Sequence, residues 1–426
     1  MPIATFRTFL GVAKESTPGT AVAATDYITI TADPKAKDTY KKLDDKSFRG
    51  SAVETYAKIP AMRTGDFGVD GNANPATIGY LLGSLLPDVV TSATTAPSGL
   101  AAAANGTGSS FGAGAQFWVV TALFGTGETV KSNEVTLTLT AGQNVNLTWT
   151  TSPGASGYRI YRGTSAGSEN VLVTTVGPVG AYTDTGSTGT AGTPPVSSSA
   201  PTNTHVFSCK NTGDGQPTSF TFSDYDGDQC HAFAGTKFSE LDFKFSADGL
   251  LTFTSKAMSW ASVVLSAPTP SYSTVLPIAA YTGQLYIDGA KALNVSSAEL
   301  QIKRKVEALQ TVQGTQDPYA MFSGAVGVTG KLTTVMLASD PMLAKIGNSS
   351  NPGETYALAF AQGANTLVFQ MSDVVYDSVD RTRGKDYVEL SVAFTAVGNT
   401  TDAGATNGYS PVKVFLGNSV ASGTYQ

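Results

Sequence analysis

The chain holds few residues able to do chemistry, and their spacing decides what that chemistry could be. Gly163-Thr-Ser-Ala-Gly167 has the spacing of the Gly-x-Ser-x-Gly turn that presents a serine nucleophile in hydrolases. That turn must join a strand to a helix and must have a histidine base close by. Here Tyr158-Arg-Ile-Tyr-Arg162 precedes it and Asn170-Val-Leu-Val-Thr174 follows, so Ser165 is expected in a turn between two strands. His205, His231, Cys209 and Cys230 are the only histidines and cysteines, and together they could offer four zinc ligands. Cys230 and His231 are adjacent, however, and would point to opposite faces of a strand. All four are expected as ordinary strand and turn residues, with both thiols reduced. Asp224-Tyr-Asp-Gly-Asp228 clusters carboxylates as a calcium loop does, yet it puts Gly227 fourth and Gly235 twelfth. A helical calcium loop needs glycine sixth and glutamate twelfth, so a hairpin turn is the expectation. No two carboxylates stand out as the acid and base of a glycoside hydrolase. The sequence therefore assigns no catalytic, cofactor-binding or metal-ligating residue, and no cofactor.

Two charged stretches remain. Asp380-Arg-Thr-Arg-Gly-Lys-Asp386 is the densest run, and mixed charge at a loop tip suits a solvated loop or a contact between subunits. Asp380, Arg381, Arg383, Lys385 and Asp386 are the candidate subunit-contact residues. Residues 35–63 form a long, charged connection with few strand signals, and long structured loops are usually functional.

The elements that must position these residues are strands. Charged residues make up only 14% of the chain, Gly numbers 45, and Thr, Ser, Val and aromatics are plentiful. A net charge of -6 gives no basic footprint for tight nucleic-acid binding. The first fifteen residues lack the apolar core of a signal peptide, and no apolar run is long enough for a membrane span, so a soluble product made in a cytoplasm is expected.

Low-complexity stretches at residues 91–114 and 186–204 bracket an insertion of short alternating strands, among them Val145-Asn-Leu-Thr-Trp149 and Gly157-Tyr-Arg-Ile-Tyr-Arg162. The pattern describes a small β-sandwich. Outside it the chain shows a faint duplication: residues 26–87 with 205–260, and residues 276–398. Each copy offers a short helix, introduced by Asn74-Pro75 in the first and Asp340-Pro341 in the second as N-cap and first helical residue. Ile78, Leu81, Leu82, Leu85 and Leu86 fall on one helical face. The expected fold is mainly β, with two β-sandwich units each carrying a short helix plus the inserted sandwich. The boundaries are 1–91 and 201–265 for the first unit, 92–200 for the insertion with flexible linkers, 266–398 for the second unit, and 399–426 for a C-terminal arm. Alternation puts Leu241, Phe243 and Phe245 on one face and Asp242 and Lys244 on the other, with Leu300 and Ile302 set against Glu299, Gln301 and Lys303. The polar face needs water, either bulk solvent or a water-filled lumen.

Three segments carry a family resemblance: Phe9-Leu-Gly-Val-Ala-Lys-Glu-Ser-Thr-Pro-Gly-Thr20, the approach to the helix from Gly71 to Leu86, and Pro217-Thr-Ser-Phe-Thr-Phe222 with Phe233-Ala-Gly-Thr-Lys-Phe-Ser-Glu-Leu-Asp-Phe. Together with Ser297-Ala-Glu-Leu-Gln-Ile-Lys-Arg304, they resemble the major tail tube proteins of long-tailed, siphovirus-like bacteriophages. The insertion resembles fibronectin type III and immunoglobulin-like modules, although Phe117 to Ser132 looks like their late strands and comes first here. The resemblance implies a non-enzymatic virion protein, assembled in the host cytoplasm, whose rings stack into a tube that DNA crosses during ejection without tight binding. It implies tape measure, tail tip and terminator proteins as partners, and no membrane. Two units per chain make a trimeric ring with pseudo-sixfold symmetry the expected form, with a hexameric ring as the alternative. In this reading Lys41, Lys42, Asp44, Asp45 and Arg49 form a ring-stacking loop, and Asp242, Lys244, Glu299, Gln301 and Lys303 face the lumen. The competing readings are a capsid decoration protein or a surface adhesin that presents the immunoglobulin-like module.

Overall fold

Alternating apolar and polar residues, with turn residues between, drive almost the whole chain into strands. The computed structural model describes residues 5–337, 342–346, 353–384 and 386–426. Asp340, Pro341 and Lys385 lie outside the described residues. The chain opens with β1 (Phe9–Lys14), β2 (Asp26–Ile28), a long hairpin of β3 (Lys37–Asp45) and β4 (Ala57–Phe67), and the short β5 (Asp70–Asn72). Helix α1 (Ile78–Leu85) and β6 (Asp88–Ala93) follow. The insertion contains β7 (Ser98–Thr107), β8 (Gly114–Phe124), β9 (Gly127–Glu128), β10 (Val135–Leu139), β11 (Gln143–Thr150), β12 (Gly157–Gly163), β13 (Val171–Val176), β14 (Ala181–Asp184) and β15 (Thr190–Ala191). The body resumes with β16 (Asn203–Ser208), β17 (Phe220–Tyr225), β18 (Cys230–Ser246), β19 (Thr252–Ser259) and β20 (Val263–Leu265). It continues through β21 (Gln284–Ile287), β22 (Ala290–Ala292), β23 (Val295–Leu309), β24 (Ala320–Val335) and the one-turn α2 (Met342–Lys345). The last strands are β25 (Glu354–Gln362), β26 (Asn365–Thr382), β27 (Glu389–Ala396) and β28 (Lys413–Asn418). The fold is mainly β, with several sheets, as the composition leads one to expect.

The strands of the body form one hydrogen-bonded network, and their apolar faces share one core. Phe243 of β18 meets Phe369 of β26 with ring centroids 5.0 Å apart, and Phe245 meets Phe360 of β25 at 4.9 Å, so the two halves are welded by aromatic contacts. Helix α1 lies inside this core. It is shorter than the sequence implies, because Asn74 heads a turn before it: Asn74 Oδ1 accepts the Ala76 N–H at 2.9 Å, and Thr77 supplies no side-chain cap. One apolar face was expected, but all eight helical residues are buried. The second face is sealed by the carboxy-terminal segment. A Cβ on Gly79 would lie 2.6 Å from the Tyr425 ring and one on Gly83 2.5 Å from the Tyr425 carbonyl oxygen, so glycine at both places lets that segment approach. The Tyr425 hydroxyl then donates to Ala76 O at 2.7 Å.

The insertion has its own core around Trp118, Leu147, Trp149, Tyr158 and Ile160. One sheet runs β14-β11-β7 and the other β10-β8-β12-β13-β15, with β9 beside β8. Trp118 Nε1 donates to buried Asp184 at 2.9 Å, and Arg162 holds both oxygens of that carboxylate at 3.0 and 2.9 Å. A buried charge is tolerated there because it is fully paired. The residues read as flexible linkers include the end of β6, all of β7 and the start of β16, and Asn203 pairs directly with Ala93. The insertion also touches the body away from its ends. Thr126 N–H donates to Gly363 O at 2.9 Å, and Thr366 Oγ1 donates to Gly154 O at 3.1 Å.

The ladders of the body repeat. Hairpin β3–β4 shifts register between Tyr40 and Lys42, and β23–β24 shifts between Arg304 and Val306, each skipping the same number of residues on the returning strand. Hairpin β18–β19 shifts between Phe238 and Glu240, and β26–β27 between Tyr376 and Ser378. The cross-pairs agree: β19 meets β4 at Ala257 and Phe67, where β27 meets β24 at Phe394 and Gly330. Through these pairings Tyr40 is the counterpart of Arg304, Lys37 of Gln301, and Asp380 of Asp242.

Candidate functional site

The broadest organised polar surface lies on the sheet face opposite the core. Across it run aligned rows: Asn72, Thr252, Lys244, Glu299 and Lys331 in one, and Asp70, Thr254, Asp242, Gln301 and Thr329 in the next. Lys256, Glu240 and Lys303 begin a third. The period of two puts every one of these side chains on the same side. Behind them Phe243, Leu300 and Leu332 are buried. All five residues expected to face a lumen, Asp242, Lys244, Glu299, Gln301 and Lys303, are therefore brought together on one surface. The sequence reading missed Glu240, Lys256, Thr329 and Lys331 on that surface, although the same alternation in β18, β19 and β24 marks them.

Opposite charges alternate along the first and third rows, while the second carries the carboxylates Asp70 and Asp242 among neutral side chains. Lys244 Nζ stands 3.3 Å from Glu299, Lys256 Nζ 2.9 Å from Glu240, and Lys303 Nζ 4.0 Å from the other oxygen of Glu240. Gln301 Nε2 donates to Glu240 at 3.1 Å. Partial burial works against ionisation of Glu240, but its hydrogen bond to Lys256 and the nearby Lys303 charge hold its carboxyl below the usual range. Asp242 moves the other way: burial, and then the Glu240 carboxylate beside it, push its carboxyl up. Such a face offers phosphate no uncompensated cluster of cations.

Two arms leave this sheet. The first is the β3–β4 hairpin. Lys41, Lys42, Asp44 and Asp45 are residues of strand β3 and not of an irregular loop, and Arg49 follows in the connection. The sequence concealed the hairpin because β3 is exposed on both faces, so no alternation appears. Lys58 on β4 lies 3.7 Å from Asp44, and Asp45 holds Arg49 together with the Ser47 hydroxyl, which keeps the Asp45 carboxyl low. The second arm is β23–β24, whose tip folds back: Arg63 on β4 makes a paired hydrogen bond to Asp317 at 2.6 and 2.8 Å, and Trp260 Nε1 donates to Pro318 O at 2.9 Å. Asp380 and Arg381 lie just before Thr382, the last residue of β26, while Arg383 and Asp386 sit exposed in the connection to β27.

The groups weighed for catalysis and metal binding stay apart. Ser165 is exposed in the turn between β12 and β13. His205 is buried between Thr91 Oγ1 at 2.8 Å and Asn418 Oδ1 at 2.9 Å, and burial pushes its pKa down. His231 lies 3.6 Å from Asp226, and both cysteines are free. Within the Asp224–Asp228 segment, Asp224 and Tyr225 end β17 and Asp226 begins the hairpin turn to β18, with Asp226 Oδ1 accepting the N–H groups of Asp228 and Gln229, each at 2.8 Å. Among the described residues no group of three metal-ligating side chains converges, and no helix is long and apolar enough to cross a membrane.

No curated protein matches the chain. Residues 214–396 match a family model described as phage tail tube protein. The matched stretch starts just before β17 and ends with β27, so it spans the centre of the polar face and the second arm. Over that stretch the chain is similar to phage tail tube proteins, and the match supports a structural role in a virion tail.

Proposed function

We propose that the chain is the structural subunit of a phage tail tube, self-assembling into rings that stack around a lumen for DNA. The observation that carries this reading is the polar face itself. It is wide, carries interleaved lysines and carboxylates, and is backed by the core of a stretch similar to tail tube proteins. A bore for DNA must be wetted yet must not grip phosphates, and paired charges meet both needs. Asp242, Lys244, Glu299, Gln301 and Lys303 line the bore in this reading. The β3–β4 arm with Lys41, Lys42, Asp44, Asp45 and Arg49 reaches the next ring. Three chains, each with two units, make one ring with pseudo-sixfold symmetry. The immunoglobulin-like insertion stands on the outside, which suits a flexible, siphovirus-type tail without a sheath. Tape measure, tip and terminator proteins complete the tail.

The test is negative-stain electron microscopy of the purified full chain. Tubes or stacked rings with a stain-filled centre are expected, and three units of rotational symmetry in end views. Isolated particles at every concentration tried would favour a capsid decoration protein or an adhesin.

A further inference from the structure

Two strand edges in the body end without partners. Among the described residues β3 pairs only with β4, and Ser378–Thr382 of β26 pair only with β27. Unpaired edges expose rows of N–H and C=O groups and invite another strand. The chain already contains the junction that would cover them. The counterpart of this stretch of β26 is the end of β18, which pairs with β23 through Glu240 and Lys303, Asp242 and Gln301, and Lys244 and Glu299. The counterpart of β23 is β3, as the two coincident register shifts require.

Resting on the tail tube reading, we propose that chains join head to tail by repeating this internal junction. β26 of one copy pairs antiparallel with β3 of the next, setting Ser378 opposite Thr39, Asp380 opposite Lys37, and Thr382 opposite Lys35. The register is chemically consistent. Asp380 and Lys37 are both exposed and of opposite charge, and cross-strand pairs of this kind favour one register over its neighbours. Val379 packs toward the core as its counterpart Leu241 does, so the apolar face also stays continuous across the joint. The joint is heterologous, with two different edges meeting, and such a joint closes into a ring when the rotation from copy to copy closes, as the three-chain ring requires.

The internal junction has a second part, and the joint repeats that as well. The tip of the second arm rests on Arg63 and Trp260. Arg63 has Val326 as its counterpart, and Val326 borders an open cavity of about 540 Å³ also lined by Phe322, Ala396, Gly398, Lys210 and Arg304. The tip of the incoming first arm, which carries Glu54 where the second carries Asp317, covers that cavity.

The test is disulfide trapping in the full-length chain. A Lys37→Cys/Asp380→Cys double variant, oxidised under assembling conditions, should give covalent multimers on a denaturing gel. The oxidised parent, with its native Cys209 and Cys230, should stay monomeric, as should a Lys42→Cys/Asp380→Cys variant that is out of register by several residues. Multimers from the Lys42 pair in preference to the Lys37 pair would overturn the proposed register. So would tubes in micrographs of the Lys37 variant with no cross-link, an outcome that leaves the tail tube reading standing. Absence of tubes or rings from the parent as well as the variants would remove both.

Discussion

His205 stands where β6, β28 and the carboxy-terminal segment meet: it bonds Thr91 and Asn418, and its ring packs against Tyr425 with centroids 4.8 Å apart. Because burial lowers its pKa in the fold, the unfolded chain binds the proton more readily. Its contribution to stability is whole above about pH 6.5 and is lost as the pH falls from there through the depressed value. Asp224 opposes it. Burial raises that carboxyl to about 6, so its ionisation weakens the fold above that pH and protonation relieves the cost as the pH falls through 6. Thermal unfolding between pH 7.5 and 5 should therefore show a steeper loss of stability in Asp224→Asn than in the parent, and a shallower one in His205→Asn; identical slopes would disprove the assignment. Gly83 makes a separate prediction. A methyl group there meets the Tyr425 carbonyl at 2.5 Å, and backbone cannot swing aside as a side chain can. Overpacking of this kind costs about 1–3 kcal/mol, so Gly83→Ala should lower the denaturant midpoint, whereas Gly142→Ala, with open space around it but a positive φ, tests backbone strain alone.

Strands with one wet and one buried face could be read directly from the sequence. β18 alternates Leu241, Phe243 and Phe245 with Asp242 and Lys244, and the structure keeps that pattern on both sides of the β18–β23 ladder. The β3–β4 hairpin could not be read, since a strand that buries neither face has no alternation to show. Helix α1 was misread for the opposite reason. Its second buried face is covered by Tyr425, a residue far away in sequence that no local pattern reveals. Low complexity misled in a third way: the Ala-rich run of β7 pairs along β11, where its small side chains meet Leu147 and Val145. The ends of the insertion yield a prediction at this scale. Ala93 and Asn203 are ladder partners, so residues 94–202 can be replaced by an Asn-Gly turn that closes β6 and β16 into a hairpin. The shortened chain should remain soluble and monodisperse, with near-native circular dichroism for its strand content. Aggregation would mean that the contacts of Gly363 and Thr366 with the insertion are needed to cover the body.

At the scale of the whole molecule, the first arm is the least explained part of a single chain. Its side chains are exposed along nearly all of β3, and Tyr40, Leu43, Phe48, Val53 and Ile59 are large apolar residues left in solvent. A hairpin that buries neither face gains little from packing, so two strands alone are marginal in water. Contact with other copies gives the arm a reason to exist, through apolar residues that need cover and charges that set alignment. Asp44 and Asp45 lie at the outer end of β3, paired only with Lys58, Arg49 and Ser47 at the surface, and exposed ion pairs add little to stability. The Asp44→Lys/Asp45→Lys double variant should therefore unfold at nearly the parent temperature. It places added positive charge beside Lys41, Lys42 and Lys46 and removes the carboxylates that a complementary surface on the next ring would meet. Stacking should weaken while ring closure, which uses the base of the arm at Lys35, Lys37 and Thr39 and its tip at Glu54, continues. Micrographs of the double variant should then show short tubes or single rings in place of long tubes. Tubes of parent length at equal protein concentration would take the outer end of the arm out of the contact between rings, and an equal loss of rings and tubes would place these carboxylates in ring closure instead.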